Sequence, residues 1–206
     1  NGHLQQKRAE PAQMRTIAHM AYARGAQGVS FFNFPYHRGT FDKSIAPSHS
    51  QDPQTLPPFE IFKELKDPAF LAAQPQYYAV GKTYNTPRHT GRPFHKTPAL
   101  NQTETIKLDM APPTDGWKRV GKLRIQALGD LKTAKFKVSC NGKALQGHPD
   151  VSPLHEEIYE VAKGSPEQYR AFILPAGLLK DGTNSFEITQ TSGEPAQLFF
   201  MDIALP

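Results

Sequence analysis

The chain has one cysteine and one tryptophan among 206 residues. With Cys140 alone, no internal disulfide can form, and a zinc site built on cysteine lacks its ligands. No apolar run approaches the length needed to span a bilayer, so no membrane partner is expected. The formal charge of +5 comes from Lys and Arg scattered among acids rather than from a basic block. With no clustered stripe, nucleic acid is not an expected partner. His37, His49, His89 and His95 lack a compact ligand spacing, so neither metal nor other cofactor is expected. Asn1-Gly2-His3 does not resemble a secretion leader, and the residues assign no compartment. A secreted or periplasmic location would require a leader outside this chain.

What is present divides into two characters. Glu10 to Ala23 carries Pro11 in a first-turn position and Met14, Ile17, Ala18 and Ala21 at helical spacing, which predicts a helix. Gly25 can end it in a left-handed conformation. Val29, Phe31, Phe32 and Phe34 then form a short apolar run without strict alternation, the pattern of a strand covered on both faces in a parallel sheet. Pro35 to Pro58 is long, polar and proline-punctuated, as expected of a functional loop over a scaffold's rim. Helical periodicity resumes over Phe59 to Gln74, where Pro68 either interrupts the helix or starts a second short one.

Gln74 to Gln102 changes character. Pro75, Pro87, Pro93 and Pro98 alternate with Tyr77, Tyr78 and Tyr84 without a hydrophobic period, which predicts a linker crawling over a surface. From Thr103 the period becomes two. Strands are predicted at Thr105 to Met110, Val120 to Leu128, Ala134 to Cys140, Glu157 to Val161, Tyr169 to Leu174, Ser185 to Thr191 and Leu198 to Ala204. Asn141-Gly142 and Asp181-Gly182 are the clearest turn signals, because these residues tolerate positive φ. Several short strands without a long intervening helix suggest an antiparallel sandwich.

Two stretches resemble known families. YARGAQGVSFFNFPYHR, followed after the long loop by PPFEIFKELKDPAFLA, is similar to the last strand and closing helix of glycoside-hydrolase-like (β/α)8 barrels. The matching letters are Arg24, Gly25, Ala26, Gly28, Phe32, Asn33 and Phe34, then Glu64, Leu65, Asp67 and Pro68. FKVSCNGKAL and the stretch from Phe172 to Leu205 resemble the jelly-roll β-sandwich modules that follow such barrels. Asn141-Gly142-Lys143, Pro175 to Leu179, Gly182-Thr183-Asn184 and Asp202 to Leu205 carry that likeness.

The resemblance implies an α+β multidomain chain. Residues 1–75 would be the last helix-strand-helix part of a (β/α)8 barrel, 76–101 a proline-rich linker and 102–206 a C-terminal antiparallel β-sandwich of jelly-roll type. It further implies the C-terminal portion of a glycoside hydrolase acting on a polysaccharide or oligosaccharide, partnered by its carbohydrate substrate and by the remainder of the barrel. An open doubly wound sheet is a competing frame for the first segment, since one strand and two helices do not define barrel closure. No Gly-rich phosphate loop follows Val29, which argues against a nucleotide-binding version.

In a barrel the active face lies at the C-terminal ends of the strands, which places Asn33, Tyr36, His37 and Arg38 as candidate substrate contacts. Asn33 and Arg38 can hydrogen-bond hydroxyls or a carboxylate, and the ring of Tyr36 can pack against a sugar face. The same residues could instead hold the long loop. Glycoside hydrolysis normally needs two carboxyl groups, and no convincing pair stands out. Asp42 and Asp52 sit beside turn formers, and Glu156-Glu157 would point to opposite faces of a strand. No catalytic residue is nominated, and the acids are expected on strands absent from this chain. Cys140 reads as a buried structural thiol. Trp117 could stack on a glycan or serve as a core anchor. The competing functional class is a non-catalytic carbohydrate-binding or structural β-sandwich module.

Overall fold

A computed structural model describes residues 11–30, 61–81, 98–152 and 165–206. Among them, α1 (Pro11–Ala23) begins at Pro11, where the missing N–H costs nothing. It ends as expected at Gly25, whose φ is +89°. The amide of Gly25 reaches the Tyr22 carbonyl at 2.9 Å and that of Ala26 reaches Ala21 at 3.0 Å. This paired pattern satisfies carbonyls that the helix end would otherwise leave open.

Two surfaces cover α1. Met14 and Ala18 pack with Ile61, Leu65 and Leu71, whereas Ala12 packs with Tyr77 and Ala204. Ile17, which belongs to the predicted apolar stripe, is 57% exposed. At about 100° per residue it points into the gap between the two covered faces. The predicted helical stretch after the loop contains two short helices, α2 (Ile61–Glu64) and α3 (Pro68–Ala72). Asp67 caps α3 by accepting the Phe70 amide at 3.0 Å, and Pro68 starts the helix rather than breaking one.

The strands are β1 (Gln76–Gly81), β2 (Thr103–Met110), β3 (Gly121–Ala127), β4 (Lys135–Cys140), β5 (Lys143–Ala144), β6 (Gly147–His148), β7 (Tyr169–Leu174), β8 (Gly182–Ser192) and β9 (Leu198–Leu205). They form a five-stranded sheet in the order β1-β9-β3-β7-β6 and a four-stranded sheet in the order β2-β8-β4-β5. Every strand pair is antiparallel. Leu123, Ile125, Phe172, Met201 and Ile203 from the first sheet meet Ile106, Val138, Cys140, Phe186 and Ile188 from the second in one core. The described residues therefore form a β-sandwich with few helices.

Asn141 and Gly142 form the two-residue turn between β4 and β5, with φ of +50° and +80°. The first six residues of the expected linker are not a linker. Gln76–Gly81 is β1, in register with β9 from Gln76↔Leu205 to Gly81↔Phe200. Tyrosine is a good strand former, and successive side chains alternate: Tyr78 enters the sandwich core while Tyr77 faces α1.

Of the predicted parallel strand, Val29 is described; it is irregular and packs beside the Met14 and Leu65 cluster. Phe31 to Phe34 and the expected strand Glu157 to Val161 lie outside the described residues. No parallel strand pair occurs among the described residues.

Candidate functional site

Asn33, Tyr36, His37 and Arg38 lie outside the described residues. So do Asp42, Asp52, Glu156, Glu157 and the four histidines considered above. Among the described residues, no group of three or more His, Cys, Asp or Glu side chains could hold a metal ion.

The densest polar chemistry that is described lies on the outer face of the five-stranded sheet. In a sandwich this face is ordinarily solvated, yet here β3 and β9 are buried along their whole length. Leu123, Ile125 and Ala127 of β3 point inward, so Lys122, Arg124 and Gln126 must point outward. Register then sets their neighbours. Arg124 stands between Asp202 of β9 and Ala171 of β7, and Gln126 between Phe200 and Tyr169.

Arg124 and Asp202 form a bidentate ion pair. The guanidinium Nε donates to Oδ1 at 2.9 Å, and Nη2 donates to Oδ2. The Tyr77 hydroxyl donates to the same Oδ2 at 2.8 Å. Arg124 also donates from Nη1 to the Val151 carbonyl at 3.0 Å, and its guanidinium carbon lies 4.9 Å from the centre of the Tyr169 ring. That distance suits a cation–π contact. Lys122 reaches Asp150 at 2.9 Å and the Ser152 carbonyl at 2.8 Å. Hydrogen bonds from Ser152, and then that from Lys122, hold the Asp150 carboxyl well below the usual carboxylate range.

Most of this cluster is satisfied. Both Asp202 oxygens are engaged by Arg124 and Tyr77, so the carboxylate is committed to holding strands together. Gln126 differs. It is 1% exposed, and neither polar atom of its amide has a hydrogen-bond partner among the described residues. The arrangement is that of a buried scaffold and supplies no pair of free carboxyls.

A second polar group lies at the C-terminal end of α1. Arg24 binds Asp109 through Nε at 3.0 Å and Nη2 at 2.9 Å, and reaches the Met110 carbonyl at 2.9 Å. Its Nη2 also lies 2.9 Å from Asp181 Oδ1. The β2–β8 register pairs Asp109 with Thr183 and Met110 with Gly182, which brings the two acids together at the sheet's end. The guanidinium beside Asp109 holds that carboxyl below its ordinary range.

Sequence reasoning missed both groups. Lys122, Arg124 and Gln126 alternate with apolar residues within the predicted strand, a pattern that a solvated strand face shares. The available signal was Asp202, a single acid inside the apolar run LFFMDIAL, since a charge there needs a buried partner. Trp117 is an anchor: its indole packs beside the core and donates to Gln76 Oε1 at 3.0 Å.

No family model matches the chain, and no curated protein matches it. Among solved structures it is similar to a β-porphyranase of glycoside hydrolase family 86 from the human gut bacterium Bacteroides plebeius. The two are 14% identical, with a TM-score of 0.36. The match covers 64% of this chain and 20% of the porphyranase, so it spans about a fifth of that protein's length.

Proposed function

We propose that the chain is the C-terminal portion of a glycoside hydrolase acting on a polysaccharide or oligosaccharide. In this reading Asn33, Tyr36, His37 and Arg38 contact the sugar at the rim of a (β/α)8 barrel. The catalytic carboxylates come from barrel strands outside this chain, and the jelly-roll-like sandwich braces the barrel. The reading rests on the sequence resemblance between Arg24 and Phe34 and between Glu64 and Pro68. The structural observation that supports it is the seating of α1 on the sandwich. The Tyr77 amide donates to Thr16 Oγ1 at 2.8 Å, His19 Nε2 lies 2.9 Å from the Pro112 carbonyl, and Arg24 grips Asp109. A sandwich joined this closely to the helix suits a brace better than a freely tethered binding module.

The test is a panel of neutral and acidic glycans offered to the isolated chain and to the complete protein. Turnover is expected from the complete protein alone. Hydrolysis by the isolated chain would overturn the placement of the acids. Binding by both with turnover by neither would favour the non-catalytic module.

A further inference from the structure

We infer that Arg24 is a positioning residue that fixes the stretch leaving α1, Gly25 to Ser30, to the end of the four-stranded sheet. Asp109 on β2 and Asp181, just before β8, are brought together by strand register, and Arg24 stands between them. This cation comes from the cap of α1, 85 residues away from Asp109 in the chain. The planar guanidinium meets both Asp109 oxygens and also reaches Asp181 and the Met110 carbonyl. A lysine ammonium, as a single point charge, cannot reproduce this fork.

The local backbone makes the grip directional. Arg24 immediately precedes Gly25, whose positive φ turns the chain out of the helix. The amides of Arg24, Gly25 and Ala26 all bond back to carbonyls of the last turn. Beyond the turn, residues 25–28 are exposed until Val29 packs beside Met14 and Leu65. The stretch is therefore held at one end by an apolar contact and at the other by Arg24. On the function proposed above, it leads to the residues assigned to sugar contact, so the sandwich would help set where they stand.

Hydrogen exchange on the full chain tests the positioning role independently of any hydrolysis. In Arg24→Ala, the amides of residues 24 to 26 are expected to exchange roughly 1.5- to fivefold faster, the range for losing an exposed ion pair. Amides of β3 and β9 should be unchanged. Arg24→Lys is expected to behave like the alanine variant, and Asp109→Asn with Asp181→Asn should reproduce the local effect. Unchanged exchange in Arg24→Ala, full protection in Arg24→Lys, or equal loss throughout the sandwich would each overturn the assignment. A hydrolysis assay that failed while this pattern held would count against the proposed function and leave the positioning role standing.

Discussion

Arg124 and Asp202 face each other across β3 and β9 as a bidentate ion pair whose side chains are 2% and 3% exposed. Removing one partner leaves an uncompensated buried charge, which typically costs about 3–5 kcal/mol. Arg124→Met and Asp202→Leu singly are therefore expected to lower the urea midpoint sharply. The double variant should recover much of the loss, because both charges leave together. Urea unfolding of all four proteins checks this through the coupling term.

Gln126 carries the opposite expectation. Its buried amide makes no hydrogen bond among the described residues, so it bears the cost of desolvation without return. Gln126→Met keeps similar bulk beside Phe200 and Tyr169 and should be neutral or stabilising, by up to about 1–3 kcal/mol. Thermal unfolding that fell by several degrees would show that the amide is bonded in solution.

Gly193 has a φ of +86°, and an added Cβ would lie 2.6 Å from Ala134 Cα and 2.8 Å from Ala134 N. Both atoms are backbone and cannot rotate aside. Gly193→Ala is expected to cost about 1–3 kcal/mol, the range for overpacking, with the positive φ adding to it. Gly25→Ala is the control for φ alone, because nothing stands within 4 Å of a Cβ there.

Burial pushes the Cys140 thiol up to about 11, despite the opposing effect of Lys180. Its folded value lies above the unfolded one, so its contribution to stability is present below about pH 9 and lost as pH rises towards 11. In native protein at pH 8, alkylation by iodoacetamide should be far slower than in urea. Mass spectrometry along a urea series should show labelling appear with unfolding.

Asp109 and Asp150 titrate in the opposite sense. Their folded values lie below the ordinary carboxylate value, so their contributions are complete above it and disappear as pH falls through the lowered values. Both carboxyls are half-exposed, so their share of the stability lost below about pH 4 should be modest. The Asp109→Asn, Asp150→Asn double variant should show a shallower loss, measured as urea midpoints from pH 7 to pH 2.

Much of the sandwich was legible because its strands carry local signals. Tyr169–Leu174 is predicted and found with the same ends, and Asn141-Gly142 forms the turn its φ tolerance suggests. β1 was not legible, since prolines and polar residues after it mask a six-residue pairing with a strand over a hundred positions later. Ile17 fits the helical stripe but stays exposed, because periodicity marks an apolar face and not which neighbours cover it. The candidate sugar contacts Asn33, Tyr36, His37 and Arg38 rest on resemblance, and both polar groups described here arise from contacts distant in sequence.

Side-chain alternation, turn chemistry and the Pro11 and Gly25 helix boundaries follow from the sequence, since each depends on residues within a few positions of one another. The lone cysteine likewise excludes an internal disulfide without reference to the fold. Tertiary structure decided which outward-facing residues are buried. Lys122, Arg124 and Gln126 look identical in pattern to a solvated strand face, and only sheet order places Asp202 beside Arg124. It also brought Asp109 and Asp181 together and set Arg24 between them, because register is a long-range property that local composition does not encode.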